Sequence, residues 1–117
     1  MASLHGVETP SERAPRGRAQ AALRTAELLR QAADIARQQA ALAAKRAEVS
    51  RAVAVSEEEE ARATHDPNHA APRAQRVKLL EDEARVLELE AKTLERESDR
   101  LQSQARTAEQ RGRLDGG

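Results

Sequence analysis

The sequence contains no cysteine, phenylalanine, tyrosine or tryptophan. Without cysteine there are no disulfides, thiol nucleophiles or Cys-ligated metals, and the redox compartment stays undecided. Without aromatic side chains a globular core is hard to build, because these side chains supply the largest buried areas. No stretch approaches the roughly 18 apolar residues of a membrane-spanning helix. The first residues lack the basic and apolar regions of a signal peptide, so we expect a cytoplasmic protein without a membrane partner.

The composition favours long helices instead. Among 117 residues there are only five glycines and four prolines, and the chain is dominated by Ala, Glu, Arg, Leu and Gln, which are strong helix formers. The net charge is zero, but residues 1–56 carry nine Arg or Lys against five Asp or Glu, and residues 57–117 carry eleven against fifteen. Halves of opposite charge are typical of two helices that pack on each other.

A seven-residue repeat runs from Val77 to Ala108 and predicts a coiled coil. Leucine occupies one position of the repeat in four successive heptads. An apolar row of this kind is buried by laying another helix along it. The predicted seam of the second helix comprises Val77, Leu80, Leu87, Leu94 and Leu101.

The first half of the chain carries two parallel rows. Between Ala19 and Ala63 there is no proline or glycine, and alanine recurs every seven residues. Small side chains along a seam let two helix backbones approach closely. Beside this alanine row runs a second row of larger residues, and the two together are wider than one partner helix can cover. The alanine row comprises Ala19, Ala26, Ala33, Ala40, Ala47, Ala54 and Ala61. The aliphatic row comprises Leu28, Ile35, Leu42 and Val49, with Val53.

Helix-breaking residues set the expected boundaries. Thr64 to Pro72 is the only interior stretch rich in them, and a turn this short makes the flanking helices antiparallel. The predicted segments are a flexible N-terminal arm (1–18), a first helix (19–63), a turn (64–72), a second helix (73–112) ended by Gly112, and a disordered tail (113–117). The glutamates at 57–60 are expected to be solvated. The predicted fold is an all-α antiparallel coiled-coil helical hairpin over residues 19–112, which can assemble further into a four-helix bundle.

The seven-residue spacing of the apolar rows is compatible with two registers of this hairpin. One sets the alanine row against the leucine seam, for example Ala47 against Leu87. The other sets the aliphatic row there, for example Val49 against Leu87. The charged residues beside the seam favour the first register. Its expected charge pairs are Arg51 with Glu81 and Arg37 with Glu95. In either register, one row of the first helix still needs a partner.

The sequence therefore predicts a non-enzymatic structural or adaptor protein that acts by docking helix on helix. The predicted interaction residues are those of the aliphatic row. The predicted partner is the protein itself, as a dimer or tetramer, or another helical protein. No cofactor is expected, and no nucleophile elbow or phosphate-binding loop is present.

A metal site is a weaker hypothesis for the turn. His65, Asp66 and His69 lie together there, and histidines four residues apart can share a metal ion on a helix. However, Pro67 lies between the two histidines and disfavours a regular helix that would place both side chains on one face. We interpret the three residues as solvated turn residues.

Two functional alternatives remain. Nucleic-acid binding would use the arginines of the N-terminal third, since phosphate contacts need only positive charge, although the chain offers no aromatic residues for base stacking. These arginines are Arg13, Arg16, Arg18, Arg24, Arg30 and Arg37. The turn Asp66-Pro67-Asn68 with a following proline is also similar, over these few residues, to the loop of small helical-hairpin proteins of secretion apparatuses. That resemblance implies a needle subunit or a small coiled-coil chaperone. As a whole, the sequence resembles coiled-coil hairpins in general.

Overall fold

The computed structural model describes the backbone of residues 10–64 and 67–116 and the side chains of residues 16–64 and 67–114. The described chain forms two α-helices, α1 (Pro10–Thr64, 55 residues) and α2 (Pro67–Gly116, 50 residues). The two helices pack against each other as a helical hairpin. The predicted all-α hairpin fold is thereby confirmed.

Helix α1 begins at Pro10, nine residues before the predicted start at Ala19. Proline suits the first helical position because the amide that it lacks has no helical partner there. The helix then continues through Pro15 and Gly17, which lie in the predicted flexible arm. Extending an existing helix is much easier than nucleating one, so a helix-breaking residue near its start does not by itself end it. The rest of the predicted arm, residues 1–9, lies outside the described residues.

Helix α2 begins at Pro67, within the segment predicted as a turn. Pro67 occupies the first helical position, as Pro10 does in α1, and Pro72 lies inside the helix. The connection is therefore shorter than residues 64–72. His65 and Asp66, which we assigned to the turn, lie outside the described residues.

Gly112 does not end α2, which continues to Gly116. Gly112 is buried in the helix. A Cβ atom at this position would lie 2.9 Å from Cγ of Leu23 and 3.2 Å from the carbonyl oxygen of Ala19. The glycine thus permits a close approach between the helices and has no terminating role. Residues 113–116, which belong to the predicted disordered tail, are helical.

The chain divides into two compact units, residues 1–35 with 98–117, and residues 36–97. In the first unit the buried residues are small on both helices. They are Ala19, Ala26 and Ala33 of α1, and Ser98, Ala105 and Gly112 of α2. Ser98 is only 1% exposed, and its hydroxyl donates a hydrogen bond of 2.9 Å to the carbonyl oxygen of Ala33.

The second unit has the same kind of core. Its buried residues are Ala36, Ala40, Ala43, Ala47, Ser50 and Ala54 of α1, and Ala84 and Ala91 of α2. The larger residues of the predicted α2 seam are half-buried along its edge: Val77, Leu80, Leu87 and Leu94 here, and Leu101 in the first unit. Small residues therefore form the fully buried part of each unit.

The alanine row of α1 is the row that is buried against α2, apart from Ala61, which is half-buried. The competing register, which would bury Leu42 and Val49 there, is not adopted, because both side chains are exposed. The expected charge pairs are not those that form. Arg51 makes its ion pair with Glu88, one heptad beyond Glu81, although Glu81 and Arg51 line the same shallow cleft. No ion pair joins Arg37 to Glu95 within the described residues.

Candidate interaction surface

The small-residue core leaves the large aliphatic side chains of α1 outside. In the first unit, Leu28 and Ile35 are 57% and 55% exposed. In the second unit, Leu42, Val49 and Val53 are 54%, 55% and 40% exposed. These are the five residues of the aliphatic row. Within each unit, two of them are spaced seven residues apart and therefore lie on one face of α1.

Helical geometry explains why this row points away from α2. Leu28 and Ile35 each come two residues after a buried alanine, Ala26 or Ala33. Two residues correspond to a rotation of about 200° around the helix. Burying alanine against α2 therefore directs the larger neighbouring row outwards. The alanine row and the aliphatic row cannot both face the same partner helix.

Helix α2 contributes exposed aliphatic side chains of its own to the second unit. Leu79, Val86 and Leu89 are all largely exposed. Sequence reasoning missed them, because they lie outside the heptad positions that form the seam. The sequence does contain a signal for two of them, since Leu79 and Val86 are spaced seven residues apart like the members of the aliphatic row.

In each unit, an ion pair joins the helices at equivalent positions beside the seam. Arg30 pairs with Glu109 in the first unit, and Arg51 pairs with Glu88 in the second. All four residues come four positions after a buried small residue of their own helix. In an antiparallel helix pair such positions meet on a common side of the seam. These pairs are partly exposed, so each stabilises the hairpin by only about 0.2–1 kcal/mol.

The glutamates at 57–60 are not simply a solvated face. Glu57 lies 3.7 Å from Arg76, and Glu60 lies 3.5 Å from Arg73, measured between carboxylate oxygens and guanidinium nitrogens. Only 16% of the Glu57 side chain is exposed. Two of the four glutamates therefore contact α2 near the connection between the helices.

The metal hypothesis is not tested by this structure. His69 lies on the exposed surface of α2, whereas His65 and Asp66 lie outside the described residues. Among the residues that the structure does describe, no group of three His, Asp or Glu side chains converges on a common point.

In that same part of the chain, neither helix has an apolar stretch long enough to cross a bilayer.

Comparison with protein-family models, with curated proteins and with solved structures finds no match to this chain. Its function is therefore inferred from the surface that the hairpin presents. The most distinctive feature of that surface is the aliphatic row of α1, together with the exposed aliphatic residues of α2 in the second unit.

Proposed function

We propose that this protein is a non-enzymatic structural or adaptor module that docks helix on helix and associates with copies of itself. The observation that carries the proposal is the exposed aliphatic row of α1, which lies outside a core that small residues already fill. Single exposed aliphatic residues are ordinary on monomeric proteins. A contiguous and periodic set of them is typical of an interaction surface.

Burial of this row would supply a useful free energy of association. Fully burying one Val, Leu or Ile side chain is worth about 1.5–3 kcal/mol. Each residue of the row is already partly covered by its own helix, so docking would recover roughly half of that for each. The sum over five side chains must still exceed the entropic cost of association. The row is large enough to contribute to a dimer, but its area alone does not fix the affinity.

The face around the row supports the same proposal. Residues three and four positions apart are neighbours on a helix surface, and those between Leu28 and Leu42 on this face carry no charge. They are Gln31, Ala32, Gln38 and Gln39. Charged residues are depleted from the centres of protein interfaces, and this stretch follows that pattern. On the same face between Leu42 and Val49, Lys45 and Arg46 are charged.

The charge distribution favours docking over nucleic-acid binding. One of the six N-terminal arginines considered for phosphate contacts, Arg30, is engaged by Glu109. Using it against a phosphate would break that ion pair. The aliphatic row, by contrast, is exposed and needs no rearrangement of the hairpin to dock.

The substitution Leu42→Asp tests the proposal. We expect it to abolish self-association, because it places a charge in the middle of the aliphatic row. Helicity should be retained, because Leu42 is exposed in the single chain. Self-association is measured by sedimentation equilibrium over a range of concentrations. Interference detection is needed because the chain has no aromatic absorbance.

Ala41→Asp is the matched control, since Ala41 is also exposed on α1 but lies outside the aliphatic row. This control should associate like the unsubstituted chain. Association that persists in Leu42→Asp would show that the row is not the interface. A monomeric unsubstituted chain would overturn self-association and turn attention to another helical protein as partner.

A further inference from the structure

The second unit has two different sides, and the ion pair between Arg51 and Glu88 marks one of them. Arg51 comes four residues after buried Ala47, and Glu88 comes four residues after buried Ala84. In an antiparallel helix pair, positions one residue before the buried ones meet on the other side of the seam. We call this other side the apolar side of the second unit.

Both helices contribute aliphatic residues to the apolar side. Helix α1 contributes Leu42, Val49 and Val53, and helix α2 contributes Leu79 and Val86, all exposed. Val49 and Val86 occupy equivalent positions, since each comes two residues after a buried alanine of its own helix. The aliphatic row is thus only half of the available surface in this unit.

Charges on the apolar side have opposite signs on the two helices. Arg46 of α1 immediately precedes a buried alanine, and so do Glu83 and Glu90 of α2. All three side chains are exposed. Within the described residues none of them makes an ion pair. Around these three residues, the α1 part of the apolar side is therefore basic and the α2 part is acidic.

We propose that a second copy of this chain docks on the apolar side with its α2 against α1, so that the connections of both hairpins lie at the same end. A two-fold axis parallel to the helices produces this arrangement, and the proposal rests on the self-association proposed above. It sets Val49 against Val86 of the second copy and Val53 against Leu79 of the second copy. Arg46 then lies between Glu83 and Glu90 of the second copy. Both contacts occur twice, as symmetry requires.

Charge selects this arrangement over its main competitor. A two-fold axis perpendicular to the helices would set α1 against α1 and α2 against α2. In the register of this competitor that sets Glu83 against Glu90 of the second copy, Arg46 would face Lys45 or Arg46 of the second copy. Like charges set against each other across an interface are unfavourable, whereas the arrangement with α1 on α2 pairs opposite charges.

Crosslinking between two single-cysteine variants tests the arrangement. Because the chain has no cysteine, Val53→Cys and Leu79→Cys each introduce a single thiol at an exposed position. The two full-length variants are mixed and treated with a short bis-maleimide, and the products are separated by mass. We expect the mixed dimer to form in excess over the two dimers of a single variant, because only the mixed dimer places the thiols opposite each other.

The outcomes distinguish this proposal from the one on which it rests. Crosslinked dimers of a single variant in excess would overturn the arrangement. An absence of crosslinks in a protein that sediments as a dimer would also overturn it, while self-association would stand. A protein that sediments as a monomer would overturn both.

Charge reversal gives a second, independent measurement. Arg46→Glu should weaken dimerisation several-fold, because it sets three carboxylates together across the interface. Adding Glu83→Arg and Glu90→Arg to the same chain should restore dimerisation. In the competing arrangement, Arg46→Glu replaces a like-charge contact with another like-charge contact or, against Lys45, with an attractive one, so dimerisation is not weakened. Circular dichroism of each variant checks that the hairpin remains folded.

Discussion

Ser98 of α2 donates a hydrogen bond of 2.9 Å to the main-chain carbonyl oxygen of Ala33 of α1. In an α-helix this carbonyl also accepts from the amide four residues later, so the serine bond is an additional one. It requires the two backbones to lie close together, because a serine side chain is short. Ala33 is itself fully buried. The two backbones of the first unit therefore lie close together at this point, where both residues are small.

Substitutions at Ser98 should separate the contribution of its hydrogen bond from that of its size. Ser98→Ala removes the bond but leaves no buried donor unpaired, so we expect a loss of about 0.5–1.5 kcal/mol in the free energy of unfolding. Ser98→Leu should cost about 1–3 kcal/mol or more, because extra methylene groups are forced between close backbones. Urea unfolding followed by circular dichroism, at one fixed protein concentration, measures both changes.

Ser103→Leu is the control, because Ser103 is exposed on the same helix. This substitution should change stability by less than about 0.5 kcal/mol. Equal losses at positions 98 and 103 would show that the close contact between Ser98 and Ala33 is not present in solution.

Replacing Gly17 or Gly112 with alanine should change the free energy of unfolding in opposite directions. Glycine inside a helix normally costs about 0.5–1 kcal/mol relative to alanine. Gly17 has no atom within 4 Å of a Cβ position, so Gly17→Ala should stabilise the protein by about that amount. At Gly112 a Cβ would come within 2.9 Å of Leu23 and 3.2 Å of the Ala19 backbone.

Gly112→Ala should therefore destabilise the protein by about 1 kcal/mol, since overpacking forces neighbouring atoms to shift. Thermal unfolding of the two variants at equal concentration gives the comparison. A gain in stability from Gly112→Ala as large as that from Gly17→Ala would contradict the close approach of α1 and α2 at this point.

The sequence was sufficient to predict the hairpin, because a seven-residue period directs a fixed set of positions towards the partner helix. The period left two rows of α1 open, and the charge pairs that favoured the alanine row are not those that form, although this row is the buried one. Gly112 shows where such reasoning failed. It continues the spacing of Ala84, Ala91, Ser98 and Ala105, but the usual role of glycine after a helix led us to place the end of α2 there. Counting the period one step further would have assigned it to the core.

The partner of Arg51 was harder to predict from sequence. Glu81 and Glu88 are one heptad apart, so both occupy the same position around α2 and lie on the same side. Choosing between them requires the axial offset of the helices, which depends on how closely the small residues let the backbones approach. The exposed residues Leu79 and Val86 were missed for a different reason: they occupy outer positions, and the hairpin alone gives these positions no packing role.

A double-mutant cycle should confirm the choice between the two glutamates. Cycles are built from Arg51→Gln with Glu88→Gln, and from Arg51→Gln with Glu81→Gln. We expect a coupling energy of about 0.2–1 kcal/mol for the first pair, since half of the Arg51 side chain is exposed and solvent screens the interaction. The coupling should decrease at high salt. A larger coupling with Glu81 would restore the charge pair that the sequence predicts.

The two prolines at the start of α2 should also behave differently when replaced. Pro72 lies inside the helix and is exposed, so Pro72→Ala supplies an amide that can bond to the carbonyl oxygen four residues earlier. A proline in a helix interior costs about 3 kcal/mol or more. We expect a smaller gain of about 1 kcal/mol, because the site is near the helix end and because proline also restricts the unfolded chain, an effect of about 0.4–1 kcal/mol.

Pro67→Ala is the matched control. Pro67 is the first residue of α2, where an amide has no helical acceptor, so this change should not raise the free energy of unfolding. Urea unfolding compares the two variants directly. Amide hydrogen exchange of residues 73–76 adds a local readout, because the new bond at position 72 should slow opening of the adjacent turn. Equal effects of the two substitutions would place the start of α2 after Pro72, which is where the pattern of breakers in the sequence had located it.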